Sequence, residues 1–361
     1  VPVTLNGRSL GVYAWEEHFE KQLLESLNRR EGPILKFSED HFLNTQKVYI
    51  DNKVENILPL LQTADILPFK QNRVFADSVL REQFLIGRTL MDQYRNRSNP
   101  ISKIFDADKM AGYQALIDLS RGFHGLTWHN QRSYYNPIVG KLEPIFYDAY
   151  TELGVYNPDR QAISGLVYID PATRKRFFDL FWLNIFDDNA FMESYRQWLR
   201  RVSDPQVLDS FFTRIGYQLG AYEKMIAKEY PDYKYDREFL YRNAQEIVND
   251  LPKFDSYVAA QKQLGEQTRP DYILEEYIAE TDIRLLPDFI KVYRDTTSDG
   301  DRVIIRNYYP QPVWVVASSM LSNRQEIYLE KSIKLDPFDG LNYHEIELSV
   351  INENQYIWFV T

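Results

Sequence analysis

The chain has 361 residues, and at about 150 residues per domain that length suits roughly two domains, each able to bury a core. With 44% hydrophobic and 15% aromatic residues it is not a solvated polymer, and the absence of cysteine excludes disulfides, thiol catalysis and thiolate metal sites. Lys and Arg total 42 against 52 Asp and Glu, and the net charge of -10 argues against a nucleic-acid surface or an anionic membrane face.

The basic clusters Arg174-Lys175-Arg176 and Arg200-Arg201 lie inside amphipathic segments and read as solvated helix faces. No apolar run approaches the roughly 18 residues of a membrane span, and the start has neither a basic n-region nor an apolar h-region. The chain opens on Val1 as though already inside a sheet, so a natural protein that continues upstream is expected.

In chain order, Val1, Val3 and Leu5 alternate with polar partners, Asn6-Gly7 supplies a tight turn, and Leu10, Val12 and Ala14 resume the period of two, which is a β-hairpin. A helix follows, with Phe19, Leu23 and Leu27 on one face, Glu17/Lys21 and Glu25/Arg29 as stabilising pairs, and Gly32-Pro33 as its end. Ile34 to Phe37 reads as a strand. From about Asn52 to Tyr150 the pattern is helical, with Val79, Leu80, Phe84, Leu90, Met91 and Tyr94 on one face and Met110, Tyr113, Leu116 and Ile117 on another, ending at Gly122.

Residues 123–148 break that rhythm as a loop, a hairpin turning near Asn136 to Gly140, and an acid at the strand end. Asp188-Asn189 reads as a helix N-cap, Ser203-Asp204-Pro205 as a cap with a first-turn proline, and residues 236–265 supply one or two more helices. Beyond about Arg284 the runs VIIRNYY, VWVVASS, EIYLEK, HEIELSV and QYIWFV predict a sandwich-like β module, which Thr361 is expected to cut short of its last strand.

The chain has no GxxxxGK[ST] loop, GxGxxG, HExxH or GxSxG motif. Polar chemistry concentrates instead in 124–148, where His124, His129, Asn130, Arg132, Glu143 and Asp148 share one hairpin-like segment. An Asn amide and an Asp carboxylate can supply oxygen ligands to a hard divalent cation while phosphates complete its shell, and Asn130 with Asp148 fits that pairing. The same two residues also suit a turn cap and a helix cap near Ala149. His124 is either a general base or a structural imidazole bonded to a carbonyl. His129, beside Trp128, reads as structural through stacking, and Arg132 either grips an anion with two parallel bonds or braces a loop.

Two stretches carry a family resemblance. VPVTLNGRSLGVYAWEEHFEKQLLESLNRREGPILKF, with Asn6, Gly7, Gly11, Tyr13, Glu17 and Lys36, resembles the segment of the CotH (spore coat protein H) kinase family in which a strand ending in Asn-Gly leads to Gly-x-Tyr, a Glu, a helix and a strand closing with Lys. FDADKMAGYQALIDLSRGFHGLTWHNQRSYYNPIVGKLEPIFYDAY, with Asn130, Tyr134, Tyr135, Gly140, Lys141, Ile145 and Asp148, is similar to that family's catalytic region. The resemblance covers roughly residues 1–150 and departs from the family pattern twice. His124 stands where relatives present an Asp, and Tyr147-Asp148-Ala149-Tyr150 replaces Trp-Asp-x-Asp, leaving one acid.

The resemblance implies an α+β, atypical protein-kinase-like fold: a partial N-lobe over 1–50, a mostly helical C-lobe over 51–283 with the catalytic-type hairpin at 123–148, and a β-sandwich-like domain over 284–361. It implies transfer of the ATP γ-phosphate, with Mg or Mn, to protein Ser or Thr, or a degenerate pseudokinase. Carried over by position, Asn130 and Asp148 are metal and phosphate ligands, with Asp148 also catalytic, and Glu17 and Lys36 are nucleotide-lobe residues; His124, standing in place of the family's Asp, is the substitute base, and Arg132 is assigned to phosphate or cofactor binding on its own chemistry. The lysine that pairs with ATP phosphates is expected before Val1, and the setting is a cell envelope or secreted one. Two other classes stand beside it: a metal-dependent hydrolase using His124, His129 and Asp148, and a surface interaction or scaffold protein whose β module binds a partner.

Overall fold

The structure, a computed structural model, describes residues 1–14, 16–40, 43, 61, 63–149, 163, 185–267, 289–297, 300–309, 311–320, 326–338, 344–349 and 355–360. It is a mixed α+β chain that falls into two compact units, Val1–Lys36 with Ile66–Gly265, and Phe37–Asp65 with Glu266–Thr361. The expected basic cluster Arg174-Lys175-Arg176 and the span after Ala149 where a helix is expected lie outside the described residues.

The first unit opens on an antiparallel hairpin, β1 (Pro2–Leu5) and β2 (Arg8–Val12), whose turn residues Asn6 and Gly7 both have positive φ, 51° and 77°. That pair of left-handed residues is what a two-residue turn between twisted strands requires. Helix α1 (Lys21–Ser26) is shorter than the pattern suggests and buries Leu24, while Leu27 is exposed. The expected Glu17/Lys21 and Glu25/Arg29 pairs do not form, because six helical residues cannot hold both. Lys21 instead meets Glu25 at 3.4 Å and Glu31 at 3.7 Å, and Arg29 meets Glu143 at 3.0 Å.

Strand β3 (Ile34–Phe37) joins a four-stranded sheet of order β4-β3-β5-β6, with β4 (Ile66–Pro68), β5 (Arg132–Asn136) and β6 (Lys141–Ile145). β4 lies inside a span whose pattern reads as helical; three residues ending in proline carry too little periodicity to announce a strand. The β3/β5 and β5/β6 pairs are antiparallel, and the β5–β6 turn falls where the sequence places it.

After the short helix α2 (Gln71–Ala76), the long helix α3 (Ser78–Arg95) starts from Asp77, whose carboxylate accepts from the backbone of Val79 and Leu80 at 2.9 and 3.0 Å. It buries Leu80, Phe84, Met91 and Tyr94; Val79, expected on that face, is exposed. A Cβ at Gly87 would sit 3.1 Å from Leu35 Cδ1, so glycine there sets how closely α3 meets the sheet.

After α4 (Ile101–Ile104), helix α5 (Ala107–Ser120) is buried on nearly every side, and α6 (Asn189–Val202) packs along it. α5 ends on Arg121 in the left-handed region (φ 54°), one residue before the glycine that marks its end in sequence. Asp188 caps α6 through Ala190 and Phe191, as its position predicts, and its other oxygen accepts from the Ser102 backbone at 2.8 Å. Helices α7 (Pro205–Ile226), α8 (Glu238–Asp250) and α9 (Phe254–Gln267) complete this unit, with Asp204 and Pro205 as the expected cap and first-turn proline of α7.

The second unit contains β7 (Ile290–Thr297), β8 (Gly300–Asn307), β9 (Val313–Met320), β10 (Glu326–Leu335), β11 (His344–Ser349) and β12 (Gln355–Val360). They form two antiparallel three-stranded sheets, β11-β8-β7 and β10-β9-β12. Its described core includes Phe289, Ile305, Tyr308, Val313 and Phe338. Five of the six strands coincide with the runs read from sequence; β7 is additional. No helix among the described residues is long and apolar enough to cross a membrane.

Candidate functional site

Between α5 and β5 the chain makes two 3-10 turns, Phe123–Leu126 and Trp128–Asn130, and these form the loop that carries His124. Its backbone is held tightly. The His124 carbonyl accepts from the Thr127 backbone (3.1 Å), the Thr127 hydroxyl (2.7 Å) and the Asn130 amide (3.1 Å). The Gln131 amide donates to the Leu126 carbonyl at 2.9 Å, and the buried Tyr113 hydroxyl on α5 donates to the Gly125 carbonyl at 2.9 Å. Burial pushes the Tyr113 phenol well above its ordinary value, which keeps it a donor; the Arg132 charge opposes this more weakly.

The exit of β6 runs back against this loop because two glycines permit it. A Cβ at Gly122 would lie 2.6 Å from the Ala149 carbonyl oxygen, and one at Gly125 would lie 2.9 Å from the Tyr147 carbonyl oxygen. No ordinary side chain fits either gap, so the segment 147–149 lies directly on the backbone beside His124. Asp148 there has φ 47°, a left-handed conformation that Asp tolerates better than most residues. Its Oδ2 comes within 3.3 Å of His124 Nε2.

Asn130 and Asp148 thus converge on one residue, the amide on the His124 carbonyl and the carboxylate on its imidazole. Because the Asn130 nitrogen donates to a carbonyl, its oxygen is the end chemically suited to a hard cation. Asp148 engages His124 through Oδ2, which leaves Oδ1 as its second oxygen donor. Both are oxygen donors of the type a hard divalent cation takes. Among the described residues no group of three or more His, Cys, Asp or Glu is placed to hold a metal. The rings of His124 and His129 are 6.2 Å apart, and Trp128 meets His129 edge-on at 5.4 Å rather than stacking.

The sheet adds two cations. Lys36 on β3 is directly opposite Arg132 on β5, so both side chains leave the same face. Both approach Phe69, with the Lys36 ammonium and the Arg132 guanidinium each 5.6 Å from the ring centre. Arg132 is also 4.6 Å from the Tyr147 ring and 5.7 Å from Phe19. It does not present a two-pronged grip to an anion. Its NH1 donates to the His129 and Gln131 carbonyls at 2.6 and 3.2 Å, and the side chain is buried. The bracing reading is the one the geometry carries: Arg132 ties the loop end to the aromatic cage. Lys36 is half-buried.

Next along the sheet, Glu143 joins Arg29 and the Asn136 amide (2.7 Å) and so serves the hairpin. Burial, reinforced by Glu143, pushes the Tyr134 phenol up to about 12. Glu17 is half-buried in irregular chain before α1 and makes no hydrogen bond or ion pair among the described residues. Sequence reasoning missed Thr127, Gln131, Tyr113 and Tyr147, and it read the glycines only as breaks in rhythm. The Gly-His-Gly spacing of Gly122, His124 and Gly125 with its intervening Phe123 was the available signal. Comparison with known protein families, with curated proteins and with solved structures returned no match.

Proposed function

We propose that the chain is a divergent CotH-type phosphotransferase that moves the γ-phosphate of ATP, with Mg²⁺ or Mn²⁺, onto a protein Ser or Thr. The observation that carries this reading is the convergence of Asn130 and Asp148 on His124 where the β5–β6 hairpin meets its preceding loop. The order helix α5, polar loop, tyrosine-bearing hairpin, acid at the exit also supports it, since the resembling family has that order. An atypical kinase-like architecture for the first unit, and an envelope or secreted setting, belong to the same proposal.

When bound, the metal–nucleotide pair supplies the transferable phosphoryl group and neutralises its charge. The chain's own residues do the rest. Asp148 Oδ2, 3.3 Å from His124 Nε2, orients the ring and favours the tautomer with its proton on that nitrogen. His124 takes the proton of the acceptor hydroxyl as general base, the role a carboxylate plays in the resembling family. Asn130 and Asp148 would hold the metal through their oxygens. Lys36 contributes positive charge for phosphate from the neighbouring strand, and Arg132 keeps the loop in register. Glu17 takes no part in this mechanism.

The test is transfer from ATP labelled at the γ- or the α-position, scored on the protein itself and on added acceptor proteins. Label arrives from the γ-position only, and His124→Ala and Asp148→Ala each slow it by about 100-fold or more. Equal labelling by both variants overturns the residue assignment. A parent protein that neither binds Mg-ATP nor transfers label overturns the function.

A further inference from the structure

We propose that a cleft between α1 and α2, which shares Phe19 and Phe69 with the cage of Arg132, binds a small single-ring carboxylate. The cleft has room for about 100 Å³ and is floored by Phe19, Ile34, Phe69, Val74 and Leu80. Phe19 and Phe69 lie 4.8 Å apart, centre to centre, and form an aromatic wall. A cavity of about 150 Å³ lined by apolar side chains is known to hold benzene; this cleft is smaller, so it takes one ring standing partly in its mouth and nothing larger.

The rim is charged. Lys21, Lys70 and Arg73 line it together with Glu20 and Glu31. Lys70 pairs with Glu20 at 3.2 Å, whereas Glu31 is shared: its carboxylate contacts Arg73 and stands 3.7 Å from Lys21. One carboxylate of the chain thus bridges two cations at the mouth of an apolar cleft. Glu25, outside the lining, also reaches Lys21, at 3.4 Å and so closer than Glu31.

With Glu25 counted, the three positive charges of the rim meet three carboxylates, so a monoanion enters only by taking the place of Glu31 between Lys21 and Arg73. A ligand with its ring on the Phe19–Phe69 wall and its carboxylate between Lys21 and Arg73 repeats the contact that Glu31 now makes. Glu31 is then an internal competitor, and removing its charge has a definite sign: it tightens binding. No residue of this rim is His124, Asn130, Asp148, Lys36 or Arg132, so the inference stands whether or not the phosphotransfer reading does.

The test titrates the whole chain with phenylacetate, 2-phenylethanol, phenethylamine and acetate, reading binding by ligand-observed NMR and thermal shift without nucleotide. Phenylacetate binds saturably and at least tenfold more tightly than each of the other three. Arg73→Gln weakens it at least tenfold, and Glu31→Gln tightens it at least threefold, with circular dichroism confirming that both variants fold. Equal binding of the alcohol, preference for the amine, or no saturation by phenylacetate overturns the proposal, as does weakening by Glu31→Gln in a folded protein. The ligand series on the unaltered chain decides the matter even if a variant fails to fold.

Discussion

The two faces of the four-stranded sheet are built for different purposes from alternate residues of the same strands. On one, Leu35 and Tyr135 receive α3 at Gly87, and Leu142 is fully buried beside Phe105. On the other, Ile34, Tyr134 and Leu24 form a small apolar patch, and Lys36, Arg132 and Glu143 supply charge. Because side chains alternate along a strand, each chemical residue sits beside one anchored in the core. The contrast teaches that rigidity and chemistry are delivered by neighbours one residue apart.

That contrast can be attacked from either side. Leu35→Ala on the packed face removes a fully buried side chain and is expected to destabilise the first unit by about 2–5 kcal/mol in chemical denaturation, with little change in the residues that contact a ligand. Gly125→Ala acts on the junction. Its Cβ has no room against the Tyr147 carbonyl, so we expect about 1–3 kcal/mol of lost stability together with loss of the His124–Asp148 contact, seen as a changed His124 ring resonance in NMR.

Arg132→Met keeps bulk within the aromatic cage but deletes donors to two carbonyls. It is expected to cost about 1–2 kcal/mol and to speed amide exchange in residues 128–131 more than elsewhere. Asp188, on the helical side, tests pH. Burial raises its carboxyl, but bonds from Ser102, Phe191 and Ala190 outweigh this and hold it below the ordinary carboxylate value. A depressed folded value contributes stability above the unfolded one, near about 3.9, that disappears as pH falls through the folded one. Asp188→Asn keeps a capping oxygen but loses the one that accepts from Ser102, so it costs about 1 kcal/mol at neutral pH, and the gap from the parent narrows in melts taken at about pH 5 down to pH 3. The smallest effect belongs to Val139→Ala at the exposed hairpin tip, within about 0.5 kcal/mol and without effect on labelling.

Much of this arrangement was legible in sequence because it is local. Asn6-Gly7, the Asp188 and Asp204 caps, and the hairpin turning at Asn136–Gly140 each depend on a few adjacent residues whose backbone preferences are strong. That Asn130 and Asp148 both reach His124, one at its carbonyl and one at its imidazole, was not legible from their places in the hairpin. What escaped depends on contacts distant in sequence. β4 needs β3 as a partner, Arg29 chooses Glu143 once α1 ends early, and Arg132 finds its cage only where Phe19, Phe69 and Tyr147 meet. The role of Gly125 depends on a carbonyl more than 20 residues away in the chain, which no spacing rule reveals.

Calorimetric titration of Mg-ATP into the parent and into Asp148→Asn addresses the chemistry of the polar face most directly. The account predicts metal-dependent binding by the parent and a loss of at least tenfold in affinity for the variant at unchanged melting temperature. Equal affinity in the two proteins, or no binding by the parent, would contradict it.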